Sequence, residues 1–523
     1  MKCKLRGAYV AMQSNFSSNH TYHNVPSSTT ITYEGIFNSS YFKLDSREDK
    51  KAVNLEISLA SVKNPLSNKN EVWLGTLFKS KYDGKKINQL IDLSIAIDVS
   101  GSMHGERIDM AKKSLIQLIQ KLNDEDNIAI SKFNTESEPI FKYQKISDLK
   151  KVNYITEIEN LKADGCTDIF KAFQGAYNLM TKEIGNNRNS IRRIIVITDM
   201  QDNVGEDFAK FCENISNEDI YITILGISDS FQTNLAEKIA NVKGANYIII
   251  KENKDINKYL VEEFDCLCFP NAKNLILEIT TPYLKIERIV GSGKEGIKEF
   301  YEKSEWDLDQ HKFYSDDFNQ KIFFLLLYFK RKNKILPKPV ILILSEFLVP
   351  GIKKEISKIH TCFPSPLKQL GENEIFIEGG MLLLRLDINS IRNENIMKFE
   401  IKYENPLENK KENVDIEYSF KKDLIKNENY FSDSKIETAL ALFYFAKFNR
   451  RFMKICNNEN KKKKYDKTYV NGEEFKKDEE KIKKYVEVHL TQEKNNKLNE
   501  QKINEYLEKM EQNIDKAIKY CKY

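Results

Sequence analysis

Five oxygen-bearing side chains, in three separate stretches, have the types and spacing of a cation site. Asp98-Val99-Ser100-Gly101-Ser102 follows seven mostly apolar residues. An Asp at the end of such a run is a charge at the carboxyl edge of a strand, where open parallel sheets gather ligands. Ser100 and Ser102 alternate in the following turn, and Gly101 between them permits a sharp backbone path. One carboxylate and two hydroxyls thereby converge on one point. Oxygen-only donors suit a hard cation: Mg²⁺, or else Mn²⁺ or Ca²⁺. The loop Asp164-Gly165-Cys166-Thr167-Asp168 adds a third hydroxyl, Thr167, just ahead of a helix starting at Ile169. Arg193–Thr198 is a second apolar strand, and Asp199 ends it with a second carboxylate for the same edge. Asp-x-Ser-x-Ser alone arises by chance in many chains; the three stretches in this order are the specific signal.

These residues need a particular scaffold. Ile91–Asp98 is apolar nearly throughout, as in a strand covered on both faces. Glu106–Leu122 places Ile108, Ala111, Leu115, Leu118, Ile119 and Leu122 on one helical stripe. Strands at Asn127–Phe133, Arg193–Thr198, Tyr221–Gly226 and Asn246–Ile250 then alternate with helices. The helices are expected at Leu149–Leu161, Ile169–Glu183, Asp207–Glu213, Thr233–Ala240 and Asp255–Phe264. Such alternation predicts a doubly wound, mostly parallel α/β sheet with helices on both faces. The strands carrying Asp98 and Asp199 should be neighbours at its switch point.

Ile97-Asp98-Val99-Ser100-Gly101-Ser102-Met103, Gly165-Cys166-Thr167-Asp168-Ile169 and Ile197-Thr198-Asp199 resemble the three motifs of a von Willebrand factor A (vWA) domain. The resemblance covers residues 90–265 and implies a Rossmann-like fold carrying a metal-ion-dependent adhesion site (MIDAS). Carried over position by position, it implies that Asp98, Ser100, Ser102, Thr167 and Asp199 hold the metal directly or through water. Met200 stands where many relatives have Gly. The wider frame is similar to stand-alone intracellular A-domain proteins of plants, bacteria and protists, and more loosely to the inter-alpha-trypsin inhibitor heavy chains. These donors leave a coordination position open, and a partner protein's Asp or Glu can fill it. In the family, the last helix, here Asp255–Phe264, shifts as the site changes affinity.

Around residues 90–265 the patterns differ. Residues 1–30 are Ser-, Asn- and Thr-rich and are expected to be flexible. Residues 31–89 hold short alternating runs at Ile31–Phe37, Val53–Leu59 and Val72–Phe78. Residues 270–420 hold further strand-like runs, among them Leu275–Thr280, Lys285–Val290, Ile322–Phe329, Val340–Leu344, Met381–Leu386, Met397–Tyr403 and Val414–Phe420. They suggest a β-sandwich shared with 31–89, with the α/β unit inserted. Residues 432–523 read as helical: a buried helix from Ser434, a basic break at Lys461–Lys464, and heptad steps over Ile503–Cys521.

Composition narrows the classes. The chain has 523 residues, 41% hydrophobic and 30% charged, with a net charge of +5, so nothing demands nucleic acid or an anionic membrane. The longest apolar run, Ile322–Phe329, falls short of the ~18–20 residues that cross a bilayer. The first residues lack the apolar core of a signal peptide, so a cytoplasmic location is expected. The 8 Cys form no C-x-x-C pair, which excludes a RING or zinc ribbon and argues against a disulfide framework. Gly291-Ser292-Gly293-Lys294 fails as a phosphate loop, because Arg288 and Glu295 stand where Gly and Ser or Thr are needed. An aspartyl-nucleophile phosphatase needs a second Asp two residues after the first, and Ser100 stands there. The expectation is a metal-dependent protein-binding module and no enzyme. The alternatives are a structural subunit whose metal is unused by its partner, and a metallohydrolase.

Overall fold

Alternating and apolar runs rich in Val, Ile, Leu and Phe make the strands of this chain. The computed structural model describes most of residues 33–291, 355–456 and 472–491; shorter stretches within these, among them 45–50, 81–88, 184–189, 200–205 and 228–241, are not described. Three strands come first: β1 (Tyr41–Lys43), β2 (Val53–Lys63) and β3 (Asn70–Ser80). Next are β4 (Ile91–Asp98), β5 (Asn127–Phe133), β6 (Ser137–Lys145), β7 (Ile191–Thr198), β8 (Ile220–Ile227) and β9 (Asn246–Ile250). The later strands are β10 (Lys273–Thr281), β11 (Ile286–Val290), β12 (Glu355–Thr361), β13 (Leu367–Leu370) and β14 (Glu374–Glu378). They continue with β15 (Met381–Leu386), β16 (Glu394–Asn405), β17 (Lys410–Lys421) and β18 (Asn429–Phe431).

The site rests on the sheet of order β6-β5-β4-β7-β8-β9, parallel except for the antiparallel edge strand β6. The chain leaves β4 for β5 on one side and later enters β7 on the other. The β4–β7 boundary is therefore the switch point, with Asp98 ending β4 and Asp199 following β7. Side-chain alternation assigns the two faces. Leu93, Ile95, Ile97, Ile195 and Ile197 share a core with Ile108, Ala111, Leu115 and Leu118 of the helix Glu106–Lys121. Ala96, Ile194 and Val196 face the other way, onto Ile169 and Phe173 of Ile169–Glu183 and Phe208 and Cys212 of Glu206–Asn217.

A second body is built from strands on both sides of this sheet in sequence. The five-stranded sheet β11-β15-β3-β2-β18 pairs β3 with β15, residues Met381↔Leu77 to Leu386↔Val72. It shares a core with the four-stranded sheet β12-β10-β16-β17 through Leu59, Leu74, Leu277, Phe399 and Ile401. The opposite face carries Trp73 and Leu77, which pack on Ile436, Leu440 and Phe443 of the helix Ser434–Cys456. The helix Gly472–Thr491 joins that core through Phe475, Ile482, Val486 and Leu490. Among the described residues no helix is long and apolar enough to cross a membrane.

Several sequence expectations are corrected. Within Ile31–Phe37, expected as a strand, Tyr33–Asn38 is a helix. Tyr33, Ile36 and Phe37 stand at helical spacing, and Tyr33 packs its ring 5.1 Å from that of Phe443. The expected helix Leu149–Leu161 is two, Ile146–Leu149 and Tyr154–Glu159, because Asn153 restarts it by accepting the Thr156 amide. The strand β6 went unforeseen because neither of its faces is buried. Strands β12 to β14 are further additions, while the helix Gly472–Thr491 lies within the region read as helical. Of the expected helix Asp255–Phe264, Asp255 and Ile256 lie in the helix Asn253–Ile256, Tyr259, Leu260 and Phe264 are also helical, and the residues between lie outside the described ones. Outside the described residues lie 1–30, Thr233–Ala240, Ile322–Phe329, Val340–Leu344, Lys461–Lys464 and Ile503–Cys521.

Candidate metal centre

Parallel pairing of β4 with β7 brings the two carboxylates to one sheet edge. Asp98 is fully buried. Its Oδ1 accepts the Ser100 amide at 2.8 Å, and its Oδ2 accepts the Thr198 hydroxyl at 2.5 Å. Burial pushes the Asp98 carboxyl above its ordinary range; those hydrogen bonds oppose the shift, and the nearby Asp199 charge adds to it. Each carboxylate oxygen keeps a second lone pair, so the hydrogen bonds leave room for a cation.

The turn after Asp98 presents its hydroxyls together: Ser100 Oγ and Ser102 Oγ are 3.1 Å apart. The Thr167 loop is fastened to this turn through backbone. Gly101 N donates to Gly165 O at 2.8 Å and Asp164 N to Val99 O at 2.7 Å. Gly165 has φ +85°, a conformation that side-chain-bearing residues rarely adopt. Thr167 is half-buried at the end of this loop. Asp168 then caps the helix Ile169–Glu183, its Oδ1 accepting the Lys171 amide at 3.0 Å. Asp168 is thus occupied as a cap, while His104 and Cys166 are exposed. Met200 and Asp202 lie outside the described residues.

Two contributors were invisible in the sequence. Asn134, just past β5, accepts the Asp168 amide on its carbonyl at 2.7 Å and donates from Nδ2 to Asp164 O at 3.3 Å. It ties the Thr167 loop to the sheet. Arg107, in the first turn of Glu106–Lys121, donates from Nη1 to Asp199 Oδ2 at 2.9 Å and to the Ser102 carbonyl at 3.0 Å. Asp199 itself is buried, and its Oδ1 has no hydrogen-bond partner among the described residues. An orphaned buried carboxylate oxygen is costly. With two paired hydroxyls and the buried Asp98, it makes an all-oxygen donor set that fits a hard divalent ion. The set holds two acids only; among the described residues no cluster of three or more His, Cys, Asp or Glu occurs.

Comparison with known proteins places this geometry in a family context. Residues 92–263 match the family model for the von Willebrand factor type A domain. The uncharacterized protein YfbK of Escherichia coli (strain K12) is 29% identical over 194 residues, 36% of this chain and 33% of YfbK. The human voltage-dependent calcium channel subunit alpha-2/delta-2 is 25% identical over 124 residues, 23% of this chain and 11% of that protein. The chain thus spans a minor part of both relatives. A solved von Willebrand factor type A structure from Catenulispora acidiphila covers 72% of this chain and 75% of its own, with TM-score 0.43 and 12% identity. The doubly wound α/β unit is a vWA domain. Domains of this family are in general protein-interaction modules, some of them metal-dependent.

Proposed function

We propose that the vWA domain holds one divalent cation, Mg²⁺ or Mn²⁺, as a MIDAS, and binds a partner protein through it. Asp98, Ser100, Ser102, Thr167 and Asp199 would hold the ion directly or through water. The observation that carries this reading is the Oδ1 of Asp199, without a hydrogen-bond partner among the described residues and buried at the same sheet edge as Asp98 and the Ser100–Ser102 hydroxyl pair. A bound cation supplies a Lewis-acidic position; this chain's residues supply the oxygen cradle and leave a coordination position for a carboxylate from outside. Asp98 is placed poorly for nucleophilic work, since it is fully buried with both oxygens hydrogen-bonded.

A second reading, metal-independent assembly, is favoured by the Arg107–Asp199 ion pair, which partly neutralises the site without any metal. Capture separates the two. Immobilised full-length protein in Mg²⁺ should retain a partner that EDTA elutes, and the Asp98→Asn variant should retain none. A partner held equally in EDTA and by Asp98→Asn would favour metal-independent assembly.

A further inference from the structure

Arg107 stands where helix physics disfavours it. It lies in the first turn of Glu106–Lys121, at the positive end of the macrodipole, where anions are stabilised and cations are not. Its neighbours Glu106 and Asp109 follow the usual preference; Arg107 does not. The chain is bent to bring it there: Gly105, with φ +82°, turns between the Gly101–Met103 turn and the helix. The guanidinium then spans Asp199 Oδ2 and the Ser102 carbonyl, joining the ends of the third and first motifs in one clamp. It occupies only one oxygen of Asp199 and leaves Oδ1 without a partner among the described residues.

We propose that Arg107 is a resident counter-charge of the site that selects for an anionic partner group. The inference rests on the metal-binding reading above and deepens it. Two carboxylates alone would neutralise a dication and leave no electrostatic demand for a third. With the guanidinium counted, the loaded site carries a single positive charge, which one external carboxylate neutralises. Arg107 therefore lowers affinity for the cation and raises the loaded site's affinity for a carboxylate. The two effects have opposite signs, which a merely structural residue would not produce. Arg107 is a positioning residue for Asp199 and an electrostatic one for the incoming anion.

Arg107→Gln removes the charge and keeps a donor within reach of Asp199; Arg107→Lys keeps the charge. Titrating full-length protein with Mn²⁺ alone measures the first effect. Titrating Mn²⁺-loaded protein with the capped peptide acetyl-Gly-Asp-Gly-amide measures the second, with acetyl-Gly-Asn-Gly-amide as the uncharged control. Arg107→Gln should bind Mn²⁺ about two- to fivefold more tightly and the Asp peptide about two- to fivefold more weakly, as expected of one partly solvated charge. Both differences should shrink in added salt, and Arg107→Lys should restore both towards wild type. If wild-type protein binds Mn²⁺ but Arg107→Gln weakens Mn²⁺ and peptide binding together, or changes neither, this inference fails and the metal site stands. If wild-type protein binds no Mn²⁺, both fail.

Discussion

Replacing Asp98 by Asn and by Ala should separate its charge from its hydrogen bonds. In metal-free protein the carboxylate is fully buried, raised in pKa by that burial and repelled by Asp199. Its charge is therefore a cost, while its two oxygens serve the Ser100 amide and the Thr198 hydroxyl. In Asp98→Asn the amide oxygen still accepts from Ser100. The new NH₂ faces Thr198, whose hydroxyl turns from donor to acceptor. That variant should be at least as stable as wild type in EDTA. Asp98→Ala strands both donors, at ~1–3 kcal/mol each, for a net loss of ~2–4 kcal/mol. Wild-type Trp fluorescence is a poor reporter here, because Trp73 lies in the core between the five-stranded sheet and the helix Ser434–Cys456, and no Trp lies in the vWA domain. Hydrogen exchange of peptides covering β4 and β7 reads the effect locally. Asp98→Ala should exchange ~30- to 1000-fold faster, the equivalent of that free energy. Asp98→Asn should match or exceed wild-type protection. Equal loss in both variants would show instead that the buried charge itself holds the strand ends.

Gly165→Ala places a side chain at φ +85° and should cost ~1–2 kcal/mol while weakening Mn²⁺ binding through the Thr167 loop, measured by urea unfolding and titration calorimetry. Gly175→Ala should destabilise the vWA domain, because its Cβ would meet Ser137 Oγ at 2.1 Å; Ser137→Gly in the same chain should recover much of the loss in hydrogen exchange at β6. Glu412 links Tyr403 and Asn405, accepting at 2.6 Å and 2.8 Å. Burial acts to raise its pKa, but the bonds from Tyr403 and Asn405 and the charge of Lys51 outweigh it, so the folded value is lowered. The stability it contributes is present above the ordinary glutamate range and is lost as pH falls through the lowered value. Glu412→Gln should flatten that decline in urea midpoints between neutral and acid pH. A fragment of residues 270–456 should be insoluble, since β15 loses β3 and the Ser434–Cys456 helix loses Trp73 and Leu77. Supplying residues 33–80 should restore soluble protein with helix and strand signals in circular dichroism.

The parallel sheet was legible because each strand is a dense apolar run whose neighbours are set by short-range punctuation. Ile91–Asp98 is buried at every position, as its composition demands. The helix Ile169–Glu183 has the bounds read from its sequence, for Asp168 caps it locally. The five donor candidates were legible as types at strand and helix ends. What was not legible depends on contacts distant in sequence. Arg107 reads as one more charge on an exposed turn until the fold brings it to Asp199, 92 residues away. Asn134 is an ordinary loop residue until Asp164 and Asp168 close on it. Strand β6 has no buried face to announce it, and it is held by backbone pairing to β5. Tyr33–Asn38 takes its helical form where its aromatic and aliphatic side chains share a core with Phe443, a choice its two-residue alternation hid.

The central claim is that the edge shared by β4 and β7 holds one divalent ion. Electron paramagnetic resonance of free Mn²⁺, titrated into full-length protein, counts bound ions without reference to any partner. Wild-type protein should remove one Mn²⁺ per chain from the free signal, releasing it to EDTA and to excess Mg²⁺. The Asp98→Asn variant, shown folded by its hydrogen exchange, should leave the free signal unchanged. Equal Mn²⁺ uptake by wild type and Asp98→Asn, or none by wild type, would contradict the account.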